Sequence, residues 1–236
     1  MRIDKVVLIT GATGALGTQV VAAVATTEAR LALTARHLEP LQALAERLSL
    51  AGERTLLHPA DLAREDDVAA LMAAVAARWG GVDVLFNLAG GWSGGARVAE
   101  VTLEDWQAAL ETNLHSALLV DRAVLPYMAA RKWGRIINIA SRAAEDPGPR
   151  QVAYNVAKAG VVALTRSIAA EYRRSGVAAN TILPGIIDTP ANRDQMPDAD
   201  FSRWVAPQQI AELLLFLASE AGGNLNGAAI PIYGRA

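Results

Sequence analysis

Tyr154 and Lys158 stand four residues apart in Tyr154-Asn155-Val156-Ala157-Lys158, at the start of a stretch with helical periodicity. That spacing puts both side chains on one helix face. A phenol is a weak acid or base at neutral pH, with an unperturbed pKa of ~10. A neighbouring ammonium favours the phenolate and brings the group toward the working range of a general acid/base. Lysine also offers a compact, rotatable donor for ribose hydroxyls, which the planar fork of arginine does not match. The chain has three lysines, Lys5, Lys132 and Lys158, against many arginines. Alone, a Tyr–Lys pair is usually an accident of an amphipathic helix, but two further residues fit the same chemistry. Ser141 closes Ile137-Asn138-Ile139-Ala140-Ser141, thirteen residues before Tyr154. A hydroxyl there can hold a substrate carbonyl while Tyr154 polarises it. Asn113, in Glu111-Thr112-Asn113, sits inside a helical pattern at a small propensity cost, as suits a residue kept to hydrogen-bond a proton-relay water.

A second constellation lies near the N-terminus. Thr10-Gly11-Ala12-Thr13-Gly14-Ala15-Leu16-Gly17 follows an apolar run and opens a helix. Glycines in such a turn let the backbone approach a pyrophosphate, whose charge then meets N–H groups and the helix N-terminus. The bland alternative is a Gly-rich turn, and its place after the first strand favours a dinucleotide. NAD binders usually carry an acid at the end of the second strand for the ribose hydroxyls. Here the strand ends Leu33-Thr34-Ala35-Arg36. The acid is missing, and Arg36 can take a 2′-phosphate through paired, charge-assisted hydrogen bonds, so NADP(H) is favoured and NAD(H) remains possible. Asp61-Leu62, after the third strand, suits an adenine contact or equally a plain helix entry.

The elements that must hold these residues are legible as an alternation. Strand-like runs at Lys5–Thr10, Leu31–Thr34, Thr55–His58, Val82–Asn87, Arg135–Ala140, Val177–Leu183 and Ala228–Ile232 are separated by helical patterns. Those patterns include Leu38–Leu50, Glu65–Trp79, Leu103–Ala130, Val152–Ser175 and Pro207–Ser219. Continuous apolar runs such as VVLIT mark strands covered on both faces. The rhythm predicts an α/β single-domain Rossmann fold over residues 1–236: a doubly wound parallel sheet of about seven strands with helices on both faces. The irregular stretches Gly90–Ala96 and Ile186–Ala206 follow strand ends, the edge where ligands bind in open α/β sheets.

Composition narrows the function classes. Net charge is -2 with no block of like charges, which offers no surface for nucleic acid or anionic lipid. The absence of cysteine excludes disulfides, thiolate ligands and a Cys nucleophile. His37, His58 and His115 lack metal-ligand spacing, and no metal is expected. The charge-free run from Val6 to Thr27 could pass for a signal or membrane segment, but three glycines interrupt it. A strand, turn and helix explain it, so a cytoplasmic protein without a membrane span is expected.

With these motifs in order, the chain resembles the short-chain dehydrogenase/reductase family over essentially its whole length. The matching residues are Thr10–Gly17, Asp61, Asn87-Leu88-Ala89-Gly90, Asn113, Ser141, Tyr154, Lys158 and Asn180–Thr189. The resemblance implies an NAD(P)(H)-dependent oxidoreductase with a catalytic set of Asn113, Ser141, Tyr154 and Lys158. It implies cofactor contacts from Gly11, Thr13, Gly14, Ala15, Leu16 and Gly17, and from Asn87, Ala89 and Gly90. Arg36, Asp61, Leu62, Tyr154 and Lys158 join them, and Pro184, Gly185, Ile187 and Thr189 are expected along the nicotinamide. It also implies a homotetramer or homodimer, which the long, many-sided apolar patterns at Leu103–Ala130 and Val152–Ser175 fit. Departures from the family pattern are Ala15 for a glycine, Leu88 for the second Asn, and Pro231-Ile232-Tyr233-Gly234-Arg235 for an Asp-Gly-Gly tail.

The substrate is a small molecule whose identity rests on two further segments. The Ala89–Gly95 loop with Trp92, and the Asp188–Trp204 lid, are similar to stretches of the dihydropteridine reductase branch of the family. Trp92 and Trp204 would suit a planar heterocycle such as a quinonoid pterin, together with Ser141 and Tyr154; equally, both are ordinary lid-packing residues. That branch prefers NADH and lacks the serine, so Arg36 and Ser141 point instead to a general carbonyl reductase. A non-catalytic dinucleotide-binding sensor is the alternative of another class.

Overall fold

The apolar runs become strands and the longer amphipathic stretches wrap them. The computed structural model describes residues 4–235. In chain order the elements are β1 (Val6–Thr10), α1 (Ala15–Ala25), β2 (Arg30–Ala35), α2 (Leu38–Arg47), β3 (Thr55–Pro59), α3 (Glu65–Trp79) and β4 (Val84–Asn87). There follow α4 (Leu103–Leu110), α5 (Ser116–Arg131), β5 (Gly134–Ile139), α6 (Val152–Tyr172), β6 (Val177–Pro184), α7 (Pro190–Gln195), α8 (Pro207–Ala218) and β7 (Ala229–Ile232). The seven strands form one parallel sheet in the order β3-β2-β1-β4-β5-β6-β7, as the β-α rhythm predicts. Both edge strands carry a proline, which removes a ladder donor: Pro59 in β3 and Pro231 in β7.

Strand residues alternate between two covered faces. Val7, Ile9, Leu33, Phe86 and Ile137 pack beneath α1, α2 and α8. Val6, Leu8, Leu85, Ile136 and Ala179 pack beneath α3, α5 and α6. Phe86, Leu8 and Ile9 have no solvent exposure, and each such side chain contributes about 1.5–3 kcal/mol of burial free energy. The order reverses between β1 and β4, so a crevice opens beyond the carboxyl ends of those strands, where open α/β sheets bind ligands. No helix among the described residues is long and apolar enough to cross a membrane.

The Leu103–Ala130 pattern is not one uniform helix. A π-helical turn at Glu111–His115 separates α4 from α5, and Asn113 lies inside it. In a regular α-helix the Ala109 carbonyl would accept the Asn113 amide; here the Asn113 side chain donates to it, Nδ2 to O 3.0 Å. Single π turns recur at functional sites because they re-aim one side chain without ending the helix. The Ile186–Ala206 region is also more ordered than its sequence suggests. It holds α7, capped by the Thr189 hydroxyl, and a parallel bridge between Ile187 and Val205.

Candidate active site

Five strand ends, those of β1 to β5, deliver the site. Beyond β1, Gly11 adopts φ +62°, and a Cβ there would lie 3.1 Å from the Ala89 nitrogen. Only glycine lets the turn lie this close to the chain after β4. Gly14 caps α1 and points the helix N-terminus at the crevice. Gly17 has a different task from the other two: a Cβ there would stand 2.1 Å from the Gly11 carbonyl oxygen. It brings α1 against the turn and is buried. Gly11, Thr13, Gly14, Ala35, Arg36, Asp61, Leu62, Ala89 and Gly90 line a cleft of about 380 Å³. Arg36 is exposed and without an ion-pair partner among the described residues. Asp61 accepts the Ala63 amide at 3.1 Å, so it opens its loop and faces the cleft together. Ala15 is exposed, and neither it nor Leu16 lines the cleft.

Beyond β5 and along α6 the catalytic candidates converge. Lys158 is buried and donates from Nζ to the Ile139 carbonyl at 3.0 Å, with Nζ 5.8 Å from the Tyr154 ring centre. Burial pushes its pKa down to about 8 because a low-dielectric site disfavours the ammonium. Ser141 lies within hydrogen-bonding reach of Tyr154. Here the expectation from spacing needs correction: burial raises the Tyr154 pKa, and the Ser141 hydroxyl offsets that only in part. Desolvation prevails, so the protein alone holds Tyr154 as a phenol. Gly90 closes the arrangement with φ +150°; a Cβ would stand 2.8 Å from Asn113 Oδ1 and 3.1 Å from Lys158 Nζ.

Two candidates have side chains engaged within the protein. Asn113 accepts from the Gly91 amide at 3.1 Å and donates to the Gly91 carbonyl at 3.0 Å, so its side chain clamps the loop after β4. Asn87 accepts from Thr10 Oγ1 at 2.7 Å and donates to Asn138 Oδ1 at 2.9 Å. With both ends engaged and burial nearly complete, it ties strands together and does not face the cleft.

Trp92 is exposed, and its Nε1 donates to Gln151 Oε1 at 3.0 Å. It lines a second cleft of about 370 Å³ with Asp105, Asn113, Arg150, Gln151 and Ala153. This cleft shares Gly91 and Thr112 with the first. Its rim is stapled: the Gly95 amide donates to the Arg150 carbonyl at 2.7 Å, and Arg150 sits at φ 60°, a conformation rare outside glycine. Trp204 does not join Trp92. It is buried, its ring 4.8 Å from that of Phe201, and it lines neither cleft. Of the residues expected along the nicotinamide, Pro184 ends β6 in a buried position, and Gly185 lies where a Cβ would meet the Tyr233 carbonyl oxygen at 2.7 Å. Ile187 and Thr189 hold the lid through the bridge and cap already described, and these four line neither cleft.

Comparison with known proteins accords with this layout. The family model described as short chain dehydrogenase matches residues 5–200. A D-threitol dehydrogenase of Mycolicibacterium smegmatis is 36% identical over 99% of this chain and 93% of its own. The D-beta-hydroxybutyrate dehydrogenase of Rhizobium meliloti is 30% identical over 98% of this chain and 97% of its own. The L-sorbose reductase of Gluconobacter frateurii, solved with NADPH and L-sorbose, superposes with a TM-score of 0.89 at 28% identity. That likeness covers 98% of this chain and 95% of the reductase. The chain belongs to the short-chain dehydrogenase/reductase family. It is accordingly a short-chain NAD(P)-dependent oxidoreductase. The residues present fit such a cofactor: the turn a Cβ would fill at Gly11, the α1 N-terminus and the long cleft from Arg36 to Gly90 have the shape and donors a dinucleotide needs.

Proposed function

We propose that this protein is an NADP(H)-dependent oxidoreductase that interconverts a small polar carbonyl compound and its alcohol, with Tyr154 as general acid/base. The observation that carries the chemistry is the half-buried Tyr154 phenol beside Ser141, with Lys158 held on the Ile139 carbonyl next to it. A bound nicotinamide supplies or accepts the hydride at the substrate carbon. In the reducing direction Tyr154 donates its proton to the carbonyl oxygen, and the Ser141 hydroxyl donates a hydrogen bond to the same oxygen as charge develops there. Burial suits this direction, since it keeps Tyr154 protonated until the carbonyl oxygen can take the proton. Lys158 offers its remaining donor hydrogens to the cofactor ribose and, when charged, favours the phenolate left behind. Asn113 acts through Gly91, fixing the loop that forms one wall of both clefts.

The preference for NADP(H) rests on Arg36, free in the cleft directly after Ala35, where an acid would repel a 2′-phosphate. The substrate class draws on the threitol, hydroxybutyrate and sorbose enzymes to which the chain is similar. The pterin reading relied on two tryptophans acting together; with Trp204 packed on Phe201, only Trp92 remains for it. Leu118 on α5 and Val156 on α6 are exposed apolar residues, and a homodimer or homotetramer built on these helices would cover them. The deciding experiment is a spectrophotometric panel: polyols with ketoses, hydroxy acids with keto acids, and quinonoid dihydropterin, each with NADPH or NADH (or the oxidised forms). The fastest turnover is expected with NADP(H) and a hydroxylated carbonyl or its alcohol. Faster turnover of the dihydropterin, or of NADH, would overturn the corresponding part of the proposal.

A further inference from the structure

Asp121 is the one carboxylate fully withdrawn from solvent, with an exposure of 0% among the described residues. It sits on the apolar face of α5, among Ala117, Val120, Val124 and Leu125. One oxygen, Oδ2, accepts from Asn138 Nδ2 at 2.9 Å; the other, Oδ1, has no hydrogen-bond partner. A buried, half-satisfied carboxyl is costly, and an apolar residue of similar size would serve the packing better. Its position therefore calls for a reason other than stability.

The reason lies in the direction of the hydrogen bonds that lead to it. Thr10 Oγ1 accepts from two backbone amides of the loop after β4, Leu88 at 3.0 Å and Ala89 at 3.1 Å. Both its lone pairs are then occupied, so its hydroxyl hydrogen must go outward, to Asn87 Oδ1 at 2.7 Å. Asn87 thereby presents its carbonyl to Thr10 and its amino group to Asn138 Oδ1, at 2.9 Å. Asn138 is left with two N–H hydrogens facing α5 and α6. One goes to Asp121; the other goes to Thr165 Oγ1 at 2.9 Å, whose own hydroxyl donates to Val161 O. Every link runs one way, from the backbone amides of Leu88 and Ala89 to two ends, the Asp121 carboxylate and, through Thr165, the Val161 carbonyl. The amides fix the donor end, and Asp121 fixes the acceptor end.

We propose that Asp121 is a positioning residue for the dinucleotide site, the acceptor that sets the polarity of this chain and so holds the Leu88–Gly90 loop in place. Without it, only Thr165 Oγ1 opposes a turn of the Asn138 amide, and that hydroxyl can rotate to donate instead. A turned Asn138 presents its amino group to that of Asn87, which must then turn as well and set donor against donor at Thr10. The Thr10 hydroxyl can answer only by giving up the Leu88 or Ala89 amide. The disturbance thus reaches Ala89 and Gly90, which line the cofactor cleft, although Asp121 touches neither. Coupled hydrogen bonds of this kind exceed the sum of their separate links. This inference rests on the proposed reading of that cleft as the dinucleotide site.

The test compares Asp121→Leu, which removes the acceptor, with Asp121→Asn, whose carbonyl keeps it. NADPH binding is followed by fluorescence, and the Michaelis constants and kcat are measured on the best substrate of the panel. Asp121→Leu is expected to weaken NADPH binding about tenfold, with kcat at saturating cofactor and the substrate Michaelis constant within about twofold of the wild type. Asp121→Asn is expected to bind within about twofold of the wild type. If Asp121→Leu does not fold, Asp121→Ala carries the same comparison. NADPH binding unchanged in a folded apolar variant would overturn the proposal. So would kcat and all Michaelis constants moving together, or the failure of both apolar variants to fold, since Asp121 would then be merely structural. A wild-type protein that binds neither NADPH nor NADH would overturn the cofactor reading instead, which keeps the two failures distinct.

Discussion

Lys158→Met should make the protein more stable and inactive at once. The ammonium of Lys158 is 4% exposed, and burial depresses its pKa from 10.5 to about 8. Between those two values the unfolded chain binds a proton that the folded chain does not, so stability rises with pH across that window. Below about pH 8 the folded state carries the whole desolvation cost, and the drop in pKa corresponds to roughly 3 kcal/mol. Methionine fills similar space without charge. The substitution also strands the Ile139 carbonyl, which now accepts from Nζ at 3.0 Å, at a cost of about 1 kcal/mol. The balance is a gain of about 2 kcal/mol at pH 7, or roughly 4–8 °C in Tm for a domain of this size. Urea and thermal unfolding of both proteins from pH 7 to pH 10 measure it. The advantage of the variant should shrink as pH rises above 8, because the wild type gains stability there and the variant does not. A variant less stable than the wild type at pH 7, or an advantage that ignores pH, would refute the account of Lys158 as a strained, functional cation.

Arg36→Ala should raise the Michaelis constant for NADPH by at least about tenfold and leave that for NADH nearly unchanged, since one charge-assisted pair to a phosphate is lost. Equal effects on both cofactors would remove Arg36 from the cofactor site. Gly90→Ala forces a Cβ against Asn113 and Lys158 at a positive φ; a stability loss of about 1–3 kcal/mol is expected. The same variant should show a larger fall in kcat than in chemical-denaturation midpoint, and wild-type kinetics would show that the loop has slack.

The fold was legible because the pattern of a doubly wound sheet is local: VVLIT and RIINIA read as buried parallel strands. Site residues on that frame were legible too, since Ser141, Tyr154 and the glycine turn carry chemistry in their residue types. What escaped was decided in three dimensions. The π turn at Glu111–His115 leaves no periodicity break strong enough to see, although an asparagine inside an apolar helix marked its place. Trp204 could not be sorted from Trp92, because a sequence does not say which of two lid aromatics turns inward; Phe201 and the Ile187–Val205 bridge decide it. The Tyr154 pKa was expected to fall, and it rises because burial is a property of the packed site, not of the spacing. Asp121 left a usable signal: a carboxylate in the run Ala117-Leu118-Leu119-Val120-Asp121, in step with Val124, Leu125 and Met128 on the face that packs inward.

The central claim is that Tyr154 moves the proton in a nicotinamide-dependent redox step, and Tyr154→Phe removes one hydroxyl and little else. Steady-state turnover and NADPH binding should be measured on the same preparation of this variant. The account predicts that kcat falls by about 10²–10⁴ while the dissociation constant for NADPH stays within about twofold of the wild type. Turnover within a few-fold of the wild type would contradict it, because the proton would then come from another group.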